Sequence, residues 1–359
     1  MSNASKLNEI IAAIEPRDHE WEDKACTYIE SLAIPPWSLG KVLDLGVQLA
    51  GIQKTIHPCV DKKMILTMAA DHGIADEGVS AFPQEVTLQM VGAIVAGGAG
   101  VNVLGKAAGA DVRLIDMGVK ADMPELVAQG KIIDKKIAHG SNNFHEGPAM
   151  TREQAIDALL AGFDVADKAI KEDGVQLLGT GDLGIGNTTP STAVVAVMGE
   201  YPLTSITGRG TGLNNGQLMH KIKVIREGIE LNKPDKDDAL DVLAKVGGYD
   251  IAGIAGSILG AAYNHVPILV DGFISTAGAL IAKGLAPYCV DYMIASHQSE
   301  EPGHKMMWET LGLKPLLQLN FRLGEGTGGA VAMHLVECAA RVMNDMLTFE
   351  EAGVTNANA

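Results

Sequence analysis

Aromatic side chains are scarce in this chain: 3 Trp, 6 Tyr and 6 Phe make up 4% of its residues. The core must therefore be aliphatic, with 15 Met filling irregular gaps. Cysteine is rarer still. Cys26, Cys59, Cys289 and Cys338 lie far apart in apolar contexts. That spacing excludes a CxxC metal site and predicts reduced thiols and a cytoplasmic chain. Basic residues are outnumbered, 28 Lys and Arg against 44 Asp and Glu, for a net charge of −16. A nucleic acid backbone needs a basic surface, so no nucleic acid partner is expected. A small anionic ligand remains compatible with a local basic site. No apolar run is read as long enough to cross a bilayer, and residues 1–14 lack the basic start and unbroken apolar stretch of a signal peptide. No membrane association is expected.

What the chain has in abundance is glycine, 42 residues in 359, together with 47% hydrophobic content. The glycines fall in a rhythm. A short apolar stretch ends in a polar glycine-rich loop, and a helical period follows. Residues 64–70 run into Asp71-His72-Gly73, and 112–115 into Asp116-Met117-Gly118. Residues 175–178 run into Gly179-Thr180-Gly181-Asp182, 267–270 into Asp271-Gly272, and 292–295 into Ser296-His297. Helical periods fill the gaps, as in 152–171 and 252–263. Apolar strands alternating with helices predict a Rossmann-like α/β fold, a parallel sheet flanked by helices on both faces. Residues 61–302 read as this large domain. Residues 1–60 and 303–359 read as helical and predict a smaller domain formed by the two termini. In such sheets ligands bind outside the carboxyl ends of the strands, where all these loops lie.

Two glycine motifs are lookalikes. Gly100 to Gly105-Lys106-Ala107 nearly spells a phosphate-binding P-loop, but Ala107 has no hydroxyl for Mg²⁺ and the segment follows a helix. Gly179-Thr180-Gly181-Asp182-Leu183-Gly184 fits a dinucleotide fingerprint, yet the acid that should follow, Glu200, sits at a helix end. The continuation carries more: Gly184-Ile185-Gly186-Asn187-Thr188-Thr189 leads into an apolar helix. Glycines free the backbone N–H groups, Asn187, Thr188 and Thr189 add side-chain donors, and a helix N-terminus attracts anions. The loop predicts phosphate binding. Gly208-Arg209-Gly210-Thr211-Gly212 precedes a helix carrying Lys221; a cation there would neutralise a phosphate, although from the residues alone a solvated helix lysine is the plainer reading. Gly78 to Pro83, with Thr87 to Met90, gathers small, aromatic and amide groups that suit a flat heteroaromatic ligand. Leu323-Gly324-Glu325-Gly326-Thr327-Gly328 sets one carboxylate among glycines at the mouth of a helix. The ten histidines include no HxxxH pair, and His297 and His304 have no third partner nearby, so no metal is expected. No GxSxG elbow supports a hydrolase built on Ser80, Ser296 or His72.

In this order and spacing, the segments resemble the nicotinate-nucleotide:dimethylbenzimidazole phosphoribosyltransferase family. The marks are Ala70-Asp71-His72-Gly73, Gly147-Pro148-Ala149-Met150-Thr151, the 184–189 and 208–212 loops, Asp271-Gly272-Phe273, Ser296-His297 and Gly324-Glu325-Gly326-Thr327-Gly328. The resemblance implies transfer of the phosphoribosyl group of nicotinate mononucleotide to a benzimidazole-type base, with no cofactor, in a homodimer. It implies that Glu325 is the catalytic base, assisted by Asp182, where the family often carries the longer Glu. It assigns phosphate and ribose to Gly184, Gly186, Asn187, Thr188, Thr189, Gly208, Lys221, Asp271 and Ser296. It assigns the base to Ser80, Phe82, Gln89, Leu183 and Leu323. Two other readings of the residues are a nicotinamide-cofactor dehydrogenase on the same fold and a nucleotide-binding protein without turnover.

Overall fold

The computed structural model describes residues 2–355. Met1 and residues 356–359, at the ends of the expected terminal domain, lie outside the described residues. Six parallel strands form the central sheet: β1 (Lys63–Ala70), β2 (Ala110–Gly118), β3 (Ile133–Asp134), β4 (Leu177–Leu183), β5 (Ile268–Val270) and β6 (Met293–Ala295). Their spatial order is β3-β2-β1-β4-β5-β6. A separate parallel pair, β7 (His297–Gln298) and β8 (Leu317–Gln318), follows β6. The α/β class expected from the sequence is thus observed.

Every residue of β1 is buried, because helices cover both faces. Met64, Leu66, Met68 and Ala70 enter one apolar cluster, and Ile65 and Ala69 enter the other. The first face is covered by the helices Arg152–Lys171, Tyr249–Tyr263 and Phe273–Leu285. The second is covered by Val86–Val95, Gly100–Ala107 and the front of Thr327–Asp345. The helix Arg152–Lys171 starts where its sequence says it should. Thr151 and Gln154 form a reciprocal cap.

Leu7 and Ile10 of Asn3–Ala13 join the main core, whereas His19–Ser31 and Lys41–Gln53 pack through Ala25, Ile29, Leu43 and Ala50 onto Met343. The helix Thr327–Asp345 serves both clusters, with Ala330, Met333 and Val336 on the sheet. One stretch is more apolar than the sequence reading allowed. Val86–Ala107 is 22 residues with mean hydropathy 1.5, sufficient on length and composition to cross a bilayer. Here it is two helices broken by a turn at Gly97, whose φ is +78°.

The strand order places the topological switch point between β1 and β4. The chain runs outward through β2 and β3, then returns to pair β4 with the other edge of β1. A crevice opens beyond the carboxyl ends at such a point.

Candidate active site

Two tight contacts build the crevice. A Cβ at Gly184 would stand 2.2 Å from the Ala70 carbonyl oxygen, so only glycine lets the loop after β4 turn across the end of β1. A Cβ at Gly181 would stand 2.1 Å from the Glu325 carbonyl oxygen, so only glycine lets the 324–329 loop lie on β4. That loop is fastened there by the Glu325 N–H, which donates to the Asp182 carbonyl at 3.2 Å, and by the Thr67 hydroxyl, which donates to the Glu325 carbonyl at 2.9 Å.

At one end the 184–189 loop winds into the helix Thr188–Gly199. The Asn187 N–H donates to the Gly184 carbonyl and the Thr189 N–H to the Gly186 carbonyl. The Ile185 N–H donates to Thr87 Oγ1 at 3.1 Å, which ties the loop to the helix Val86–Val95. Lys221, fully buried on the helix Asn215–Asn232, donates to Thr188 Oγ1 at 2.7 Å. Burial outweighs the attraction of Glu301 and brings the Lys221 ammonium down to about 8. Glu301 lies against Gly208, and burial raises its carboxyl although Lys221 pulls the other way. Arg209 of the same loop is spent locally, on the Leu213 carbonyl and Asn215 Oδ1.

At the other end stand three carboxylates. Glu325 has φ +64°, a left-handed backbone that bulky residues rarely adopt. It does not cap the helix that follows it. Its Oε2 accepts from the Val101 N–H at 3.1 Å, at the start of the helix Gly100–Ala107. Burial raises the Glu325 carboxyl, and Asp271 adds to it, so the N–H groups of Val101 and Gly100 lose the contest. Asp182 is held well above the usual carboxylate range by burial, then by Asp271 and Asp250. Its Oδ2 accepts from Asn187 Nδ2 at 3.0 Å, which links the carboxylates to the 184–189 loop. Asp271 is fully buried, and its oxygens accept from the Gly329 N–H at 2.9 Å and the Gly326 N–H at 3.2 Å. The Ser296 hydroxyl is used on the Asp271 carbonyl at 3.1 Å. For both residues the side-chain polar groups are engaged within the protein.

The residues assigned to the base lie more loosely. Ser80 Oγ is 3.2 Å from Thr211 Oγ1, joining that segment to the 208–212 loop. Phe82 and Leu323 are exposed, at 52% and 61%, as is Gln89. Leu183 is buried within the second apolar cluster. Leu323 packs beside Gly100.

Seven buried side-chain polar atoms lack a hydrogen-bond partner among the described residues. Five of them belong to Asp71, His72, Asp182, Thr189 and Glu301, all on segments around this crevice. Orphaned buried groups are rare in folded proteins, and five around one crevice are compatible with a ligand that completes the bonding there. Two surface hollows, ≈ 560 Å³ beside Tyr201 and ≈ 410 Å³ beside Trp21, contain none of these groups. Chemistry, not hollow size, identifies the site.

The geometry also removes the dinucleotide reading. Gly179 and Gly181 lie inside β4, not in the turn after it. Sequence reasoning passed over Glu301 and the pairing of His72 with Asp250 (Nε2 to Oδ2, 3.2 Å). It also dismissed the Gly100 segment, whose N–H groups meet Glu325.

The structure is thus a doubly wound α/β sheet whose switch-point loops bring a glycine-rich helix N-terminus beside a carboxylate with a raised pKa. The chain belongs to the phosphoribosyltransferase family, which it matches over residues 14–354. It is 53% identical to a nicotinate-nucleotide–dimethylbenzimidazole phosphoribosyltransferase of Desulfotalea psychrophila, over 98% of this chain and 99% of that one. It is 50% identical to the enzyme of the same name from Syntrophotalea carbinolica, over 97% and 98%. The solved structure of the Thermus thermophilus enzyme of that name superposes with a TM-score of 0.89 at 39% identity, covering 95% of this chain and 100% of that one.

Proposed function

We propose that this chain transfers the 5-phosphoribosyl group of nicotinate mononucleotide to 5,6-dimethylbenzimidazole or a related base. The products are α-ribazole 5′-phosphate and nicotinate. The observation that carries the reading is the link between the two ends of the crevice, Lys221–Thr188 at one and Asn187–Asp182–Glu325 at the other.

The phosphate sits on the 184–189 loop and Lys221. The nitrogen lone pair of the incoming benzimidazole attacks C1′ from the face opposite nicotinate. The C1′–N bond to the pyridinium breaks, and its electron pair returns to the pyridine nitrogen. Nicotinate thus leaves neutral at that nitrogen, and no general acid is needed. The second nitrogen of the benzimidazole loses its proton to Glu325. Inversion converts the β linkage to α. A carboxylate with a raised pKa is better matched to this proton than an ordinary one, and general-base help contributes about 10²- to 10⁴-fold. Holding the two rings in line about C1′ supplies the rest. Asp182 orients the loop through Asn187. Incubation with nicotinate mononucleotide and a panel of bases, read by mass spectrometry, should give a riboside phosphate mass for at least one base. Nucleotide binding with no such product would overturn the reading.

The proposal includes a homodimer. Phe82, Leu88, Val103 and Leu323 expose large apolar surfaces, from 43% to 61%, on segments next to the Glu325 loop or the phosphate loop. A second subunit covering them would close the base pocket. Sedimentation should give twice the 37.6 kDa chain mass, and a fully active monomer would remove this part. Its four unpaired cysteines suit a reducing cytoplasm.

A further inference from the structure

The mechanism leaves two fully or nearly buried polar groups behind the base without a task. Asp271 immediately follows β5 with no exposure, and His297 begins β7 at 3%. The carboxylate of Asp271 holds the first turn of the helix Thr327–Asp345 by two N–H groups, one on each side of Thr327. The His297 ring stands against the same turn, where a Cβ at Gly328 would fall 1.9 Å from Nδ1. His297 Nδ1 is 3.9 Å from Asp271 Oδ1 and 3.1 Å from Ser296 Oγ. Glu325 immediately precedes this turn.

We propose that Asp271 and His297 are positioning residues for Glu325: the carboxylate clamps the turn behind the base and the ring wedges it from the far side. This goes beyond direct contact with the nucleotide, and it rests on the transferase reading above. A held backbone fixes where the Glu325 carboxylate meets the reacting ring, and a small displacement there costs rate. Asp271 also acts through charge: burial raises its carboxyl against the pull of His297 and the surrounding N–H groups, and in its ionised form it repels a charge on Glu325. The groups facing Glu325 are Asp271, the N–H groups of Val101 and Gly100, and Asp182 across β4. Those facing Asp271 are Glu325, Asp182, His297 and the N–H groups of residues 326, 328 and 329. His297 itself faces His304. Of these, Asp271 is the one that disfavours ionisation of Glu325 by charge.

The test uses the full chain with nicotinate mononucleotide and 5,6-dimethylbenzimidazole. Asp271→Asn keeps the shape and removes the charge. Its kcat should fall at least tenfold, and the acid limb of its kcat–pH profile should move to lower pH, because the base loses a repelling neighbour. A merely structural role lowers the rate without moving the limb. A folded Asp271→Asn protein whose kcat is within threefold of wild type, or whose acid limb coincides with wild type, overturns the proposal. Should Asp271→Asn fail to fold, His297→Gln decides it: kcat should fall tenfold with the nucleotide KM within threefold, and an unchanged kcat overturns the wedge. Absence of product from the wild-type chain would remove the transferase reading, and this proposal with it. Product from wild type alongside unaffected variants removes this proposal alone.

Discussion

The two ends of the crevice handle charge in opposite ways. At the phosphate end, donors converge: a helix N-terminus, the Thr188 hydroxyl and the buried Lys221 ammonium. At the base end, carboxylates converge, and Asp182, Asp271 and Glu325 are all pushed toward the protonated form by burial first. On the proposed function, the first arrangement binds an anion in the ground state. The second makes a carboxylate readier to take a proton, and it costs stability to maintain. On that reading, binding and proton transfer are separated in space and joined by one hydrogen bond, Asn187 to Asp182. Substitutions at the two ends should therefore affect different kinetic constants.

The largest effect is expected at the base end. Glu325→Gln preserves shape and an acceptor but cannot accept a proton. Its kcat should fall by about 10²-fold or more, with nucleotide affinity nearly unchanged. Steady-state kinetics on folded protein checks this. A rate within a few-fold of wild type would leave Glu325 as a structural residue, and the contrast between the ends would collapse.

Next comes the phosphate end. Lys221→Met removes a charge-assisted bond of about 1.5–3 kcal/mol, so the KM for nicotinate mononucleotide should rise about tenfold to a hundredfold while kcat changes little. Lys221 must be charged to hold a phosphate, and burial brings its ammonium down to about 8. Its depressed pKa means that the proton is lost as pH rises through that value. Hence kcat/KM should decline above about pH 8, and Lys221→Met should flatten that alkaline limb. An alkaline limb that survives in the variant would assign it to another group.

The same contrast explains what the sequence could tell. The phosphate end is local: Gly184 to Thr189 is one contiguous stretch, and its glycines, hydroxyls and following helix can be read in order. The strands were legible because they are apolar on both faces, as β1 shows residue by residue. Glu325 stood out by its glycine neighbours. Its partner did not, because Val101 lies 224 residues away and its N–H carries no side-chain signature. The Gly100 segment was read by its motif, a failed P-loop, when its use lies in its helix N-terminus. Asp271 was recognised as important from its loop, yet the direction of its carboxylate depends on residues 55 and 58 positions later. The strands β3, β7 and β8 have two residues each, too short to show any alternation. Exposed Phe82 and Leu323 carry no local sign of what would cover them.

The smallest expected effect is one of stability, and it tests the claim that the carboxylate end is held at a cost. Asp182 is buried, its Oδ1 has no partner among the described residues, and burial followed by its acidic neighbours raises its carboxyl well above the usual range. The sign follows from proton counting. In the unfolded chain Asp182 ionises at an ordinary carboxylate pKa of about 4. In the folded protein it still holds its proton above that pH. Over this interval the folded state binds more protons than the unfolded state, so stability falls as pH rises. Below the unfolded value the residue is protonated in both states, and the penalty is absent. Asp182→Asn replaces the acid with a neutral side chain that can still accept from Asn187. Denaturant unfolding at about pH 8 should show the variant more stable than wild type by about 0.5–2 kcal/mol, the range of an ordinary stabilising substitution. The difference should shrink toward zero as pH is lowered below about 4. The contrary outcome is a loss of stability in the variant under the same alkaline conditions. If Asp182→Asn destabilises the protein there, the ionised carboxylate is favourable in the fold, and the two ends of the crevice do not differ in the way argued.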